Sequence, residues 1–408
     1  MHAARSLIGT VVVVALVAAC GSTPPTAAPS VAAPSASSVA SAAPSSAAPS
    51  ASPAATPAPS PTATAAPSPS AVADVAAAFN KSLVDPLWSP HITVKAVSTY
   101  GGQTIPITGT IDVNLGTSHT VVAYGQGSSG STQETISNGS VKYVRRYGVW
   151  FKETSSGGSL GGLVTGTTGF TDAGVEAKNG QQLHHMVLPA GTPVPVDSLG
   201  VPAGATNVQA GMEAWADADG KPVVIAVTAG WDQPTTGGST PLSIAMELNI
   251  EGSAATITTP TEDEVWAWKT STINHYLIAY PSTWEYTKGT SKKADYFDGY
   301  DGSFFGVARL SAQGLSLNQI ITYARTHLKT WSGLTNPKVA KASAARLNGV
   351  TARLLVIKGT YQGVTKTQYD IVAVKGKYFY EVFLSMPRQP TAADLALWTT
   401  LMATYKMK

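Results

Sequence analysis

Met212-Glu213-Ala214-Trp215-Ala216-Asp217-Ala218-Asp219-Gly220-Lys221-Pro222-Val223-Val224-Ile225-Ala226-Val227 is the stretch on which the fold turns. Two strand-like runs flank Asp219-Gly220, and because Gly accepts positive φ and Asp tolerates it, the segment predicts a tight hairpin. Downstream, Ile244, Met246, Leu248 and Ile250 alternate with Ser243, Ala245, Glu247 and Asn249. That is the period of a strand with one buried face. Upstream the same period runs through His91–Val97, Gly109–Leu115 and Thr120–Tyr124, with further runs at Ser140–Arg145 and Leu183–Leu188. The pattern predicts an antiparallel meander. Before it, Val72, Val75, Ala76, Phe79 and Leu83 fall at helical spacing, which predicts an amphipathic helix over Val72–Leu83.

Beyond the meander the order of elements changes. Tyr276–Trp284 reads as a strand ending at the Pro281 turn, Phe304–Leu310 as a strand, and Leu317–Leu328 as a helix with Ser316 at its N-cap. Four strand-like runs follow, Lys338–Leu347, Thr351–Tyr361, Thr365–Val374 and Tyr378–Ser385, broken by Asn348-Gly349, Gln362-Gly363 and Lys375-Gly376. A helix capped by Thr391 closes the chain.

The N-terminus is of another kind. Met1 to Arg5 is short and weakly positive, and the apolar run Leu7–Val17 stops short of the roughly 20 residues that cross a bilayer. We read residues 1–19 as a signal peptide. Residues 20–71 are almost entirely Ala, Pro, Ser and Thr, with no aromatic residue and no charge through Ser70. Such a segment buries too little apolar surface to offset the entropy of ordering, so a disordered linker is expected. The remaining residues exceed the usual span of one core. Two domains are expected, 72–259 and 260–408, divided at the polar stretch Thr258-Thr259-Pro260-Thr261-Glu262-Asp263-Glu264.

Val17-Ala18-Ala19-Cys20 resembles the lipobox of bacterial lipoproteins, and the chain holds no other cysteine. The resemblance implies that Cys20 is the first mature residue and carries a diacylglycerol, so that the protein is extracytoplasmic with the membrane as a partner. Two acyl chains hold a protein on a bilayer far better than one.

Over about 75–258 the order of features resembles the LppX/LprG-like lipoproteins, which share a half-barrel with the carrier LolA. The residues that carry it are the opening helix, Gly109-Thr110-Ile111, Asn138-Gly139-Ser140-Val141-Lys142-Tyr143 followed by Trp150, Gly174-Val175-Glu176 with His184, and Ala214-Trp215-Ala216-Asp217 leading into Asp219-Gly220-Lys221-Pro222. The resemblance implies an antiparallel curved sheet with helices, enclosing an apolar ligand such as lipid or lipoprotein acyl chains. Over about 265–408 the order resembles the PsbP-like α/β/α sandwich found also in lipoproteins of the LpqN kind. It rests on Tyr280-Pro281-Ser282-Thr283-Trp284, the helix from Leu317, Asn348-Gly349 with Thr351-Ala352-Arg353, and Tyr378-Phe379-Tyr380-Glu381-Val382 before Pro387. That resemblance implies a non-enzymatic module with a cell-envelope protein as partner. The expected class for the whole chain is therefore α+β.

Chemistry-bearing clusters are sparse. His184-His185 is the best metal candidate, yet neighbours on a strand point to opposite faces and cannot easily grip one ion. Asp217, Asp219 and Gly220 resemble the start of a calcium loop but lack the later Glu and fit a hairpin better. Asp295, Asp298 and Asp301 alternate with aromatic residues in a Gly-bearing segment that is either a cation site or a solvated loop. Thr154–Thr171, rich in Gly, Ser and Thr, is a mobile flap, an ordinary surface loop or a weak helix around Leu160–Val164. The chain holds no Gly-x-Ser-x-Gly elbow, Walker loop, His-Glu-x-x-His or dinucleotide fingerprint. An enzyme, a cofactor and a resident metal are therefore not expected. A net charge of +3 without a basic run speaks against nucleic acid.

Overall fold

The computed structural model describes residues 69–125, 130–154, 160–165, 167–235, 237–288 and 294–408. The expected signal peptide, Cys20 and nearly all of the linker lie outside them. The opening helix α1 spans Pro69–Leu83. It is followed by β1 (Pro90–Tyr100), β2 (Gln103–Asn114), β3 (Thr117–Tyr124), β4 (Ser131–Asn138), β5 (Val141–Arg146) and β6 (Val149–Thr154). A short helix α2 (Leu160–Thr165) precedes β7 (Thr171–Lys178), β8 (Gln181–Val187), β9 (Thr206–Ala216), β10 (Pro222–Thr235) and β11 (Gly238–Ser253). Asp217 N–H donates to the Lys221 carbonyl and Gly220 N–H to that of Asp217, closing the β9–β10 hairpin that the Asp-Gly pair predicts.

The rest of the chain forms β12 (Val265–Ser271), β13 (Tyr276–Pro281), β14 (Glu285–Lys288), β15 (Ala294–Asp298) and β16 (Phe304–Ser311), then α3 (Leu317–Thr326) and α4 (Leu328–Ser332). It ends with β17 (Thr335–Leu347), β18 (Val350–Tyr361), β19 (Val364–Lys375), β20 (Tyr378–Met386), α5 (Ala392–Thr404) and β21 (Lys406–Met407). Reciprocal capping boxes, Ser316 with Gln319 and Thr391 with Asp394, set the starts of α3 and α5.

Among the described residues the strands form two open sheets. The first is 14-stranded, in the order β21-β13-β12-β6-β5-β4-β3-β2-β1-β11-β10-β9-β8-β7, and the second is 7-stranded, β14-β15-β16-β20-β19-β18-β17. The class is α+β, with strands dominant. The first sheet crosses the polar stretch at Thr258–Glu264. β12 pairs with β6 in parallel, Val265 opposite Trp150 and Trp266 opposite Phe151. Phe151 is buried in the same core as Trp266, Ile278, Trp398 and Leu401. That core lies on one face of the second sheet, and a separate one built around Ile320, Ile321, Ala324, Leu355 and Val372 joins α3 and its neighbours to the other face.

Candidate functional site

Register lines up apolar side chains on one face of the first sheet. Met186 on β8 lies opposite Ala214, Ala214 opposite Ile225, Ile225 opposite Leu248, Leu248 opposite Val94, Val94 opposite Gly109, and Gly109 opposite Val122. This single row crosses seven strands, roughly 29 Å at about 4.8 Å per step. Apart from the glycine, every side chain in it is buried. A parallel row runs Met212, Val227, Met246, Ala96, Ile107 and Tyr124. At Gly109 the strands come so close that a Cβ would fall on the Val121 carbonyl oxygen. The absent side chain is what permits the approach.

Two helices and a 3-10 turn cover these rows. α1 contributes Phe79 and Leu83, α2 contributes Leu163 and Val164, and the turn Val196–Leu199 contributes Leu199, all in one core with Phe170. The Phe79 and Phe170 rings meet edge to face at 5.1 Å. Asn80 ties the cover together. Its Nδ2 donates to the Ala76 and Phe170 carbonyls at 2.8 Å each, and its Oδ1 accepts from Gly169 N–H at 2.7 Å and Phe170 N–H at 2.9 Å. Asn80→Ala removes the acceptor of two backbone donors, of which the one on buried Phe170 is left without a partner, and is expected to lower stability by about 1–3 kcal/mol in a urea titration.

The cover is thin where α2 lies. Six residues cannot hold a helix unaided, and Gly161 and Gly162 weaken it by about 1 kcal/mol each relative to Ala. Its position depends on burying Leu163 and Val164, which are fully buried. Burial of two such side chains is worth roughly 3–6 kcal/mol. Of the readings open for Thr154–Thr171, the short helix is the one found, within the part that is described.

Polar groups are few in this layer. The Trp231 indole donates to Gln233 at 3.2 Å, and burial pushes the Tyr124 hydroxyl up to about 12. Among the described residues, the buried charged ones are Asp295, Lys366, Asp370, Glu381 and Asp394, all in the later part of the chain.

The metal candidates of the sequence do not converge. His184 Nδ1 meets Asp172 at 2.7 Å, whereas His185 stacks on the Trp215 ring at 5.0 Å on the opposite face. Asp217 Oδ1 accepts from Asp219 and Lys221 N–H at 3.0 and 2.8 Å, the geometry of a turn. Asp295 stands in strand β15, not in a loop, and accepts from Asn274 at 3.1 Å, Tyr276 at 2.6 Å and Tyr286 at 2.8 Å. Burial raises that carboxyl, but these hydrogen bonds outweigh it and hold the group below its usual value. Asp301 takes Ser303 and Arg388, and Asp298 faces away as an exposed strand end. The three carboxylates therefore have separate surroundings and do not converge on one cation. No group of three or more metal-binding side chains occurs among the described residues.

A second buried feature escaped sequence reading. Asp370 on β19 and Glu381 on β20 are diagonal neighbours on one face of the second sheet, since Asp370 lies opposite Phe383 and Val372 opposite Glu381. The Trp331 indole donates to Asp370 Oδ2 at 2.6 Å, while Asp370 Oδ1 is buried without a donor. The detectable signal is an acid inside each of two otherwise apolar runs, Ile371–Val374 following Asp370 and Tyr378–Leu384 around Glu381.

No family model matches the chain, and no curated protein matches it. Among the solved structures similar to it are the following three. A cyanobacterial PsbP from Synechocystis sp. is 12% identical, covers 38% of this chain and 98% of its own, and has a TM-score of 0.30. LprF from Mycobacterium bovis is 14% identical over 48% of this chain and 98% of its own, with a TM-score of 0.27. A LolA superfamily protein from Nitrosomonas europaea is 8% identical over 46% of this chain and 94% of its own, with a TM-score of 0.23.

Proposed function

We propose that the chain is a non-enzymatic, extracytoplasmic lipoprotein, anchored through Cys20, that takes up an apolar ligand such as lipid or acyl chains on the inner face of its first sheet. In this reading residues 72–259 are a LolA-like ligand-binding domain and residues 260–408 a PsbP-like domain. The observation that carries it is the mismatch between floor and cover. The floor is a seven-strand apolar row, and part of its cover is a six-residue helix held by two side chains. A ligand that offers apolar surface of its own replaces what α2 gives up on moving aside, so opening needs no large net change in buried area. No helix of the described residues is long and apolar enough to cross a membrane.

Native mass spectrometry of the gently purified chain is expected to show co-purifying lipid, and the delipidated chain to raise the fluorescence of N-phenyl-1-naphthylamine on binding. Ala96→Phe, in the middle of the second row, fills the floor and is expected to weaken dye binding at least tenfold. Absence of lipid together with a flat dye titration rejects the reading.

A second reading, a protein-interaction scaffold in the envelope, is favoured by one surface. Half-exposed Tyr147 lies edge-on to Trp268 at 6.3 Å, and Trp268 stacks on Phe151 at 5.0 Å, beside the β6–β12 pairing. A partner protein captured with the chain, lost on Trp268→Ala and indifferent to Ala96→Phe, supports this reading instead.

A further inference from the structure

Three large apolar side chains stand in water at one end of the first sheet: Val84 at 55% exposure, Leu87 at 78% and Leu115 at 71%. They share that end because His91 lies opposite Asp112, so the segment before β1 and the turn after β2 leave the sheet together. Neither tip is a loose loop. Val84, Asp85 and Trp88 N–H donate to the carbonyls of Lys81, Ser82 and Asp85, and Leu87 N–H donates to the Asp85 carboxylate at 2.8 Å. Leu115 occupies a turn at φ 47, a conformation held in the equivalent turns by Tyr147, Asn179, Asn348 and Gln362. Asn tolerates that region and a bulky apolar residue does not favour it, so folding gives no reason for a leucine there.

We infer that this end docks on a lipid bilayer surface, with Val84, Leu87 and Leu115 inserted among the headgroups. The shape argues for lipid over protein. The residues are separate knobs on hydrogen-bonded turns, which a bilayer accommodates without a matching surface, whereas a protein partner must supply a pit for each. Charges at this end are mixed, with Lys81 and Lys221 exposed beside Asp85, Asp219 and Glu251, which suits a zwitterionic headgroup layer. Trp88, half-buried against the apolar layer, links the tip to the floor described above. The inference rests on the proposed apolar-ligand function, since a binder that exchanges lipid with a membrane must bring its layer to the membrane surface.

The test places a single thiol at the tip. In the full chain carrying Cys20→Ser, Leu115→Cys is labelled with an NBD fluorophore and mixed with phosphatidylcholine vesicles. The label reports local depth whatever else holds the chain to the vesicle. A blue shift with a rise in emission, quenched by a nitroxide on the lipid headgroup, is expected at position 115 and again at Leu87→Cys, while a label at Tyr361→Cys stays in water. Water-like emission at both 87 and 115 in excess lipid overturns the proposal. Leu87→Asn with Leu115→Asn is expected to weaken vesicle binding at least tenfold and to leave naphthylamine binding unchanged. The two readings thus fail separately, because a flat dye titration with a docked label rejects the apolar site alone.

Discussion

Glu381→Gln is expected to make the protein more stable above neutral pH and to flatten the dependence of its stability on pH. In the fold, burial raises both carboxyls of the Asp370–Glu381 pair, Asp370 to about 6 and Glu381 well above its ordinary value. Glu381 lies within hydrogen-bonding reach of Asp370, and only as an acid can it donate to the otherwise unpartnered Asp370 Oδ1. In the unfolded chain both groups ionise near pH 4. The folded state therefore binds more protons than the unfolded state between about pH 4 and the raised folded values. Stability is greatest below the unfolded values and is lost as pH rises through the folded ones.

A shift from near 4 to about 6 for Asp370 alone corresponds to roughly 3 kcal/mol at pH above 6. Gln at 381 keeps the shape and gives Asp370 Oδ1 a permanent N–H donor. Asp370→Asn keeps an acceptor for the Trp331 indole, whose 2.6 Å bond is one of the ties of α4 to the sheet. Each variant is expected to gain about 2 kcal/mol over the parent at pH 8 in urea titrations and little at pH 4.5. A parent whose stability is level from pH 5 to 8, or a Gln variant less stable than the parent at pH 8, removes the shared-proton account.

The acid pair also marks where sequence reading stopped. Alternation locates β1, β2, β3 and β11 because one face of each is apolar and the other polar, the Asp219-Gly220 turn locates β10, and Asn-Gly, Gln-Gly and Lys-Gly place the turns of the β17–β20 meander. β4 reads Ser131-Thr132-Gln133-Glu134-Thr135-Ile136-Ser137-Asn138 and β7 Thr171-Asp172-Ala173-Gly174-Val175-Glu176-Ala177-Lys178, without enough apolar residues to signal a strand. Both are set by pairing with neighbours, which a local period cannot register. β15 is hidden for the opposite reason, since Asp295, its second residue, reads as solvated and is instead the acceptor for two tyrosine hydroxyls. Of the candidate site, the sequence supplied the rows of the floor strand by strand. The clamp at Asn80 depends on a partner 89 to 90 residues away and left no mark in the local pattern.

The same hairpin that reveals the fold also seats its cover, and Gly220→Ala is expected to separate the two roles. Gly220 has φ +75, and a Cβ there would stand 2.7 Å from both the Ala78 Cβ and the Val75 carbonyl oxygen, and 2.9 Å from Phe79 N. Two of these contacts are backbone of α1, which cannot rotate away as a side chain does. The helix must lift from the sheet, or the turn must abandon its geometry. Either response disturbs Phe79, which is fully buried against Phe170. Positive φ costs an L-residue about 1 kcal/mol and overpacking typically adds 1–3, so a loss of about 2–4 kcal/mol is expected. Gly180 supplies the control. It has φ +79 in the β7–β8 turn with nothing near its missing side chain, so Gly180→Ala is expected to cost only about 1 kcal/mol. The difference between the two variants measures the contact with α1. If that helix is part of a cover that opens, Gly220→Ala also speeds hydrogen exchange in Val75–Leu83 and the release of bound naphthylamine, while Gly180→Ala changes neither. Equal losses in the two variants, with exchange in α1 unmoved, leave α1 a fixed part of the fold and place any opening in α2 alone.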